Sequence, residues 1–248
     1  MTDPASPATP AQPLAGQVAL VTGGGTGIGA GIALMLAGLG AQVVVNQPEL
    51  SPPSGPYTVI PADVRDRGQV SRMFAQVHET FSRLDVLVNN AGIFPRADPL
   101  DLGEDIWDAV LDTNLKGAFF CAQEAARLMI PQRYGRIVNI ASSAALTGSP
   151  RGAHYAASKA GMIGMGKSLA RALARHRITV NTVAPGMTWT DQPGLDAQGF
   201  EEEGRKIPLG RVASPGDVAG AVAYLVGESG GYITGQTLQV NGGAVMLP

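Results

Sequence analysis

Short apolar runs alternate along this chain with longer stretches whose apolar residues recur every three or four positions. Gln17–Thr22 is such a run and ends in glycines; Ile28–Leu39 then carries apolar side chains at helical spacing up to Gly40, a natural helix stop. This reads as strand, glycine turn, helix. Further β-branched runs at Ala41–Asn46, Tyr57–Ile60 and Leu84–Asn89 read as strands, with a helix over Asp66–Phe81. Downstream the pattern predicts a long helix over Leu102–Ile130, a strand at Arg136–Ala141 and a helix at Ala153–Arg175. A strand at Ile178–Ala184, a helix at Pro215–Val226 and a last strand at Gln236–Val240 follow. Between Gln47 and Pro56 four prolines leave room for a loop and not for a crossover helix.

Strands that are almost wholly apolar and alternate with helices belong to a parallel sheet buried on both faces. The expected architecture is a doubly wound, Rossmann-type α/β fold: seven parallel strands with helices on both faces, in a single domain over residues 15–248. Ligands then sit at the carboxyl ends of the strands. Residues 1–14, rich in Pro, Ala and small polar side chains, read as a disordered tail without the pattern of a signal peptide.

Composition narrows the function classes. A 248-residue chain that is 45% hydrophobic can bury one large core. A net charge of −2 with no long basic run argues against nucleic acid or an anionic membrane as partner. The apolar runs are too short to span a bilayer, and Cys121, the only cysteine, admits no disulfide, so a soluble cytoplasmic protein is expected. His78, His154 and His176 are scattered, and no metal site is expected.

The chemistry concentrates in Tyr155-Ala-Ala-Ser-Lys159, with Ser142 thirteen residues before the tyrosine. On a helix Tyr155 and Lys159 share one face, which sets an ammonium beside a phenol. A neighbouring cation stabilises the phenolate and lowers the tyrosine pKa toward the range where it exchanges a proton with a hydroxyl or carbonyl. His154 points about 100° away along the helix and is expected at a pocket wall or on the surface. At the other end of the sheet's edge, Gly23, Gly25, Thr26, Gly27, Ile28 and Gly29 lie between first strand and first helix, where a pyrophosphate meets backbone amides and the positive helix end.

The spacing Thr22-Gly-x-x-x-Gly-x-Gly29 resembles that of the short-chain dehydrogenase/reductase family, and so do Asn89-Asn90-Ala91-Gly92, Asn114, Ser142, Tyr155-x-x-x-Lys159 and Pro185-Gly186 with Thr188 and Thr190. The resemblance runs from Gln17 to about Gly243; Ile207–Val212 through Tyr232–Thr237 is similar to the 3-oxoacyl carrier-protein reductase branch. It implies a nicotinamide-dependent oxidoreductase that moves a hydride between cofactor and a secondary alcohol or ketone, usually a homotetramer. A catalytic set of Asn114, Ser142, Tyr155 and Lys159 is implied: Tyr155 transfers the proton, Ser142 polarises the carbonyl, Lys159 lowers the tyrosine pKa and holds the nicotinamide ribose, and Asn114 holds a relay water. Asp63 and Val64 are implied at the adenine, Asn90, Ala91 and Gly92 on the ribose side, and Pro185, Gly186, Thr188 and Thr190 at the carboxamide.

Cofactor choice is read from the end of the second strand, where Gln47 replaces the usual acid. No Lys or Arg occurs between Gly40 and Val64, so a 2′-phosphate lacks a local cation and NAD(H) is expected, with NADP(H) the alternative. The substrate lid is expected over residues 187–211, with Phe94 and Leu146 as further wall residues. An alternative reading is an NADPH-dependent reductase of 3-oxoacyl thioesters whose acyl carrier protein docks on Arg133, Arg175 and Arg177; a catalytically silent dinucleotide-binding regulator is the reading from another class.

Overall fold

The computed structural model describes residues 12–49, 55–190 and 194–246. Seven strands, β1 (Val18–Thr22), β2 (Gln42–Gln47), β3 (Thr58–Pro61), β4 (Val86–Asn89), β5 (Gly135–Ile140), β6 (Ile178–Pro185) and β7 (Thr237–Val240), form one parallel sheet in the order β3-β2-β1-β4-β5-β6-β7. Order reverses between β1 and β4, which is where a doubly wound sheet opens its ligand crevice.

Eight α-helices flank the sheet. α1 (Gly27–Gly38) and α8 (Pro215–Val226) cover one face, where Ile32, Leu36, Val218 and Val222 pack on Val21, Val45 and Val88. α2 (Arg67–Phe81), α4 (Gly117–Gln132) and α6 (Ala153–Leu173) cover the other, where Val70, Phe74, Cys121 and Met129 meet Leu20, Leu87 and Ile137. Because both faces are covered, β1, β4, β5 and β6 are buried at every position, and their mostly apolar sequence follows from that, with polar residues such as Arg136, Asn139, Asn181 and Thr182 buried among them.

Three departures from the sequence reading have local causes. The helix expected over Leu102–Ile130 is α3 (Glu104–Leu111), a π-helical turn over Asp112–Lys116, and α4. The wide turn inserts a residue, and Asn114 at its centre is fully buried. Two helices have no counterpart in the reading: α5 (Ala144–Thr147) and α7 (Ala197–Arg205). α7 buries only Phe200 and Gly204 of a largely acidic stretch, so it lacks the apolar stripe that marks a helix. Finally, Leu14 is no tail residue. It is 1% exposed, joins the cluster beneath α1, and its N–H donates to the Leu39 carbonyl at 3.0 Å, so the packed domain begins before residue 15.

Residues 1–11 of the expected tail, residues 50–54 of the expected proline loop and residues 191–193 of the expected lid lie outside the described residues. Among the described residues no helix is long and apolar enough to cross a membrane.

Leu14→Ala is expected to destabilise the fold by about 2–5 kcal/mol, the range for emptying a buried leucine site. The denaturant midpoint measures it; an unchanged midpoint would return Leu14 to the tail.

Candidate active site

Thr22 ends β1, and its hydroxyl accepts from the N–H groups of Asn90 and Ala91 at 3.0 and 3.1 Å. The Asn90 amide donates back to the carbonyls of Thr22 and Gly23 at 3.0 and 2.9 Å. These four bonds lash the strand-end turn of β4 to the glycine turn of β1. Gly23 holds φ +60°, and a Cβ there would lie 2.9 Å from the Ala91 Cα, so both backbone conformation and closeness require glycine.

The turn opens onto α1, whose first helical turn carries no acidic side chain, so its amide end is left positive for an anion. Two clefts flank it. One is lined by Gly23, Gly25, Thr26, Gln47, Pro48 and Glu49, with the Gln47 side chain folded against Gly25 where any Cβ would collide. The other, the larger of the two with about 940 Å³ of empty space against about 640 Å³, runs from Ile28, Asn90 and Gly92 past Ser142, Tyr155 and Lys159 to Pro185, Gly186, Thr188 and Thr190. Glycine cradle, helix terminus and two clefts together fit an elongated dinucleotide.

Within the larger cleft, the Ser142 hydroxyl and the Tyr155 phenol line the same wall. Ser142 Oγ accepts from the Ala144 N–H at 3.1 Å, which fixes it at the start of α5. Phe94 stacks on Tyr155 with ring centroids 4.2 Å apart. Lys159, 3% exposed, donates from Nζ to the Ile140 carbonyl at 2.8 Å, with Nζ 5.7 Å from the Tyr155 ring centre.

Burial acts oppositely on the two groups. It pushes the Tyr155 phenol above its ordinary range, against a smaller downward pull from Ser142. It brings the Lys159 ammonium down to about 8. The expectation that Lys159 draws the tyrosine down is therefore outweighed within the protein by desolvation, because the ammonium sits beneath the ring and spends a donor on Ile140. Tyr155 stands as a phenol, ready to give a proton.

Asn114 accepts from the Ile93 N–H at 2.8 Å and donates to the Ile93 carbonyl and to Ser158 Oγ at 3.0 and 3.2 Å. It thus couples the turn after β4 to α6. Gly92 keeps the space beside it open: a Cβ there would lie 3.2 Å from Asn114 Oδ1 and 3.4 Å from Lys159 Nζ.

Not every anticipated residue reaches a cleft. Asp63 and Val64 line neither; Arg65 grips the Asp63 carboxylate at 2.6 Å and holds its pKa down, and Val64 is buried in the core. The cap of α2 is Asp66. Gly27 meets the cleft only through Thr190, whose Cγ2 would lie 3.3 Å from a Cβ on it, and Gly29 packs against Gly23 and Asn90. His154 is neither wall nor surface. It is fully buried, and its Nε2 lies 2.8 Å from the Pro95 carbonyl. Glu49 and Arg96 line clefts although no sequence signal marked them; each is a lone charge in a loop.

A family model described as enoyl-(acyl carrier protein) reductase matches residues 23–245. A 3-oxoacyl-[acyl-carrier-protein] reductase of Synechocystis sp. is 42% identical over 247 residues, 94% of this chain and 99% of its own. One from Staphylococcus aureus is 43% identical over 240 residues, 92% and 98% of the two chains. A crystal structure described as a short-chain alcohol dehydrogenase from Sinorhizobium meliloti 1021 superposes with a TM-score of 0.87 at 35% identity, over 93% of this chain and 97% of that one.

Lys159 has no carboxylate partner among the described residues, so its charge is buried at a cost. Its folded pKa of about 8 lies below the ordinary 10.5, so the penalty is fully present below about 8 and is relieved as pH rises toward 10.5. Lys159→Met is expected to melt higher than the parent at neutral pH, by up to about 3 kcal/mol in stability, with the advantage shrinking at alkaline pH. Melting curves across that range check the sign.

Proposed function

Since the chain belongs to the short-chain dehydrogenase/reductase family and is an oxidoreductase acting on CH–OH groups, we propose that this cleft exchanges a hydride between NAD(H) and a small secondary alcohol or ketone, with Tyr155 moving the proton. The observation that carries the reading is the convergence of Ser142, Tyr155 and a buried Lys159, its Nζ 5.7 Å from the Tyr155 ring centre, on the wall of the larger cleft.

A bound nicotinamide cofactor supplies or accepts the hydride. Gly23, Gly25, Thr26, Gly27 and Ile28 would hold its phosphates, Asn90, Gly92, Tyr155 and Lys159 its nicotinamide ribose, and Pro185, Gly186, Thr188 and Thr190 its carboxamide. As the carbonyl oxygen gains charge, Ser142 donates to it and Tyr155 gives it a proton, both groups being held in a water-poor pocket where such donors are worth most. In oxidation Tyr155 takes the alcohol proton instead. Lys159 stabilises the phenolate that each reduction leaves behind, and the proton that restores the phenol comes in from solvent through Lys159 and a water in the gap beside Gly92, held by Asn114; in oxidation the proton leaves by the same route.

Preference for NAD(H) is supported by the smaller cleft. Gln47 and Glu49 line it, and among the described residues no Lys or Arg does. A 2′-phosphate would meet a carboxylate there and no cation. The homotetramer is supported by α6, which leaves Ala153, Ala157, Ala160 and Gly164 outward as a flat strip suited to a second helix, and by exposed Phe119 on α4. A chain with one cysteine, buried in the core, suits the cytoplasm.

The curated relatives favour a second reading, reduction of 3-oxoacyl groups carried on an acyl carrier protein. Arg133 and Arg177, which take left-handed backbone conformations at the ends of α4 and of the turn after α6, and Arg175 beside them would receive its acidic surface. Reversing the charge at Arg133 should then lower turnover of carrier-linked substrate and spare free ketones.

Tyr155→Phe should cut turnover by about 10²–10⁴-fold while dinucleotide binding, followed by fluorescence titration, persists; full turnover in that variant would sink the mechanism. In the parent, alcohol oxidation should rise through the alkaline range, because the raised phenol pKa delays formation of the base, and reduction should fall over the same range; initial rates in both directions give the two limbs. NADH should bind at least about tenfold more tightly than NADPH, with Gln47→Arg narrowing the gap; tighter NADPH binding in the parent overturns the preference.

A further inference from the structure

The reading above leaves the substrate's class open, and the described walls of the larger cleft hold one charge that the mechanism does not use. Arg96 lines that cleft beside Phe94 and Met187, and among the described residues no aspartate or glutamate lines it. Five other arginines, at 65, 83, 127, 205 and 211, are each engaged by a carboxylate, and among the described residues the rest are not. Arg96 has none: among the described residues its recorded partner is the Phe94 ring, 5.9 Å from the guanidinium carbon. The nearest acid in sequence, Asp98, is spent on its own turn, accepting from the Leu100 N–H at 3.0 Å.

The backbone on both sides of Arg96 is pinned. The Pro95 carbonyl bonds to His154, which is fully buried and whose other ring nitrogen has no partner, so the contact leaves Nε2 as the donor. The Ala97 N–H donates to the Arg151 carbonyl at 3.2 Å. Gly152, where a Cβ would strike the Phe94 ring, lets that ring lie flat on Tyr155. Arg96 itself is exposed, at the rim of the cleft, on a backbone held at both neighbours. Steps of 5.9 Å and 4.2 Å, from guanidinium to Phe94 and from Phe94 to Tyr155, put the charge within about 10 Å of the catalytic ring.

We infer that Arg96 is a specificity residue that binds a carboxylate on the substrate itself, so that the enzyme's substrates are oxo acids or hydroxy acids whose carboxylate lies a few bonds from the reacting carbon. This rests on the reading of the cleft as the site of carbonyl reduction. A planar guanidinium takes a carboxylate through two parallel bonds, and Phe94 at its back holds the fork in place. The span is too short for the phosphate of a pantetheine arm, which stands many bonds further from its 3-oxo group. An uncharged 3-oxoacyl thioester has nothing to offer Arg96.

The test compares 5-oxohexanoate with its methyl ester, in the parent and in Arg96→Met and Arg96→Lys, by kcat/KM with NADH and by the melting-temperature shift each ligand gives the NADH-loaded protein. The parent is expected to prefer the acid, and Arg96→Met to reduce the acid-to-ester ratio by about 10–100-fold through KM, with Arg96→Lys restoring part of it. No preference for the acid in the parent, or a preference that survives Arg96→Met, overturns the assignment. Failure of the underlying reading is distinguishable. If Tyr155→Phe keeps turnover the mechanism falls, and the acid-to-ester ratio of melting shifts still decides for or against Arg96.

Discussion

Backbone groups at the carboxyl ends of parallel strands run out of ladder partners where the strand order reverses, and buried amides and carbonyls must be paired. Here side chains do the pairing. Thr22 and Asn90 close the gap between β1 and β4, Asn114 takes both polar groups of Ile93, Lys159 takes the Ile140 carbonyl, and His154 takes that of Pro95. The crevice is thus walled by polar side chains already held in place, and the proposed catalytic groups are drawn from the same set or stand directly beside it. Chemistry and backbone accounting share residues.

That sharing sets the electrostatics. A lysine placed to satisfy a strand-end carbonyl is buried, and a tyrosine one helical turn earlier is buried with it. Removal from water disfavours both charged forms, the ammonium of one and the phenolate of the other. The pair is therefore balanced so that neither partner holds its charge cheaply, which suits a proton that must move in both directions.

Charge is also sorted along the crevice. Glu49 marks the smaller cleft beside the glycine turn, while Arg96 marks the outer end of the larger one, with the helix terminus between them. The loops that carry these two residues differ in support: the segment around Arg96 is tied to α6 through His154 and Arg151, whereas Glu49 follows directly on the end of β2.

The alternation of apolar runs with helical spacing was enough to establish the parallel doubly wound sheet, because strands covered on both faces are mostly apolar along their length. The spacing of Tyr155, Lys159 and Ser142 and the glycines after β1 was legible for the same reason: each is a local geometry, a helical turn or a strand-to-helix bend. What depended on contacts between distant segments was not. The π turn that aims Asn114 forms where Asn114 meets Ile93, twenty-one positions away, and no periodicity records it. Leu14 looked like tail because its burial comes from packing beneath α1, and His154 looked exposed or wall-lining because Pro95, fifty-nine positions away, is what it touches. Arg96 and Glu49 are single charges in loops, with no pattern of their own; their meaning comes from which cleft the folded chain turns them toward, since a charge acts through distance in space and not along the chain.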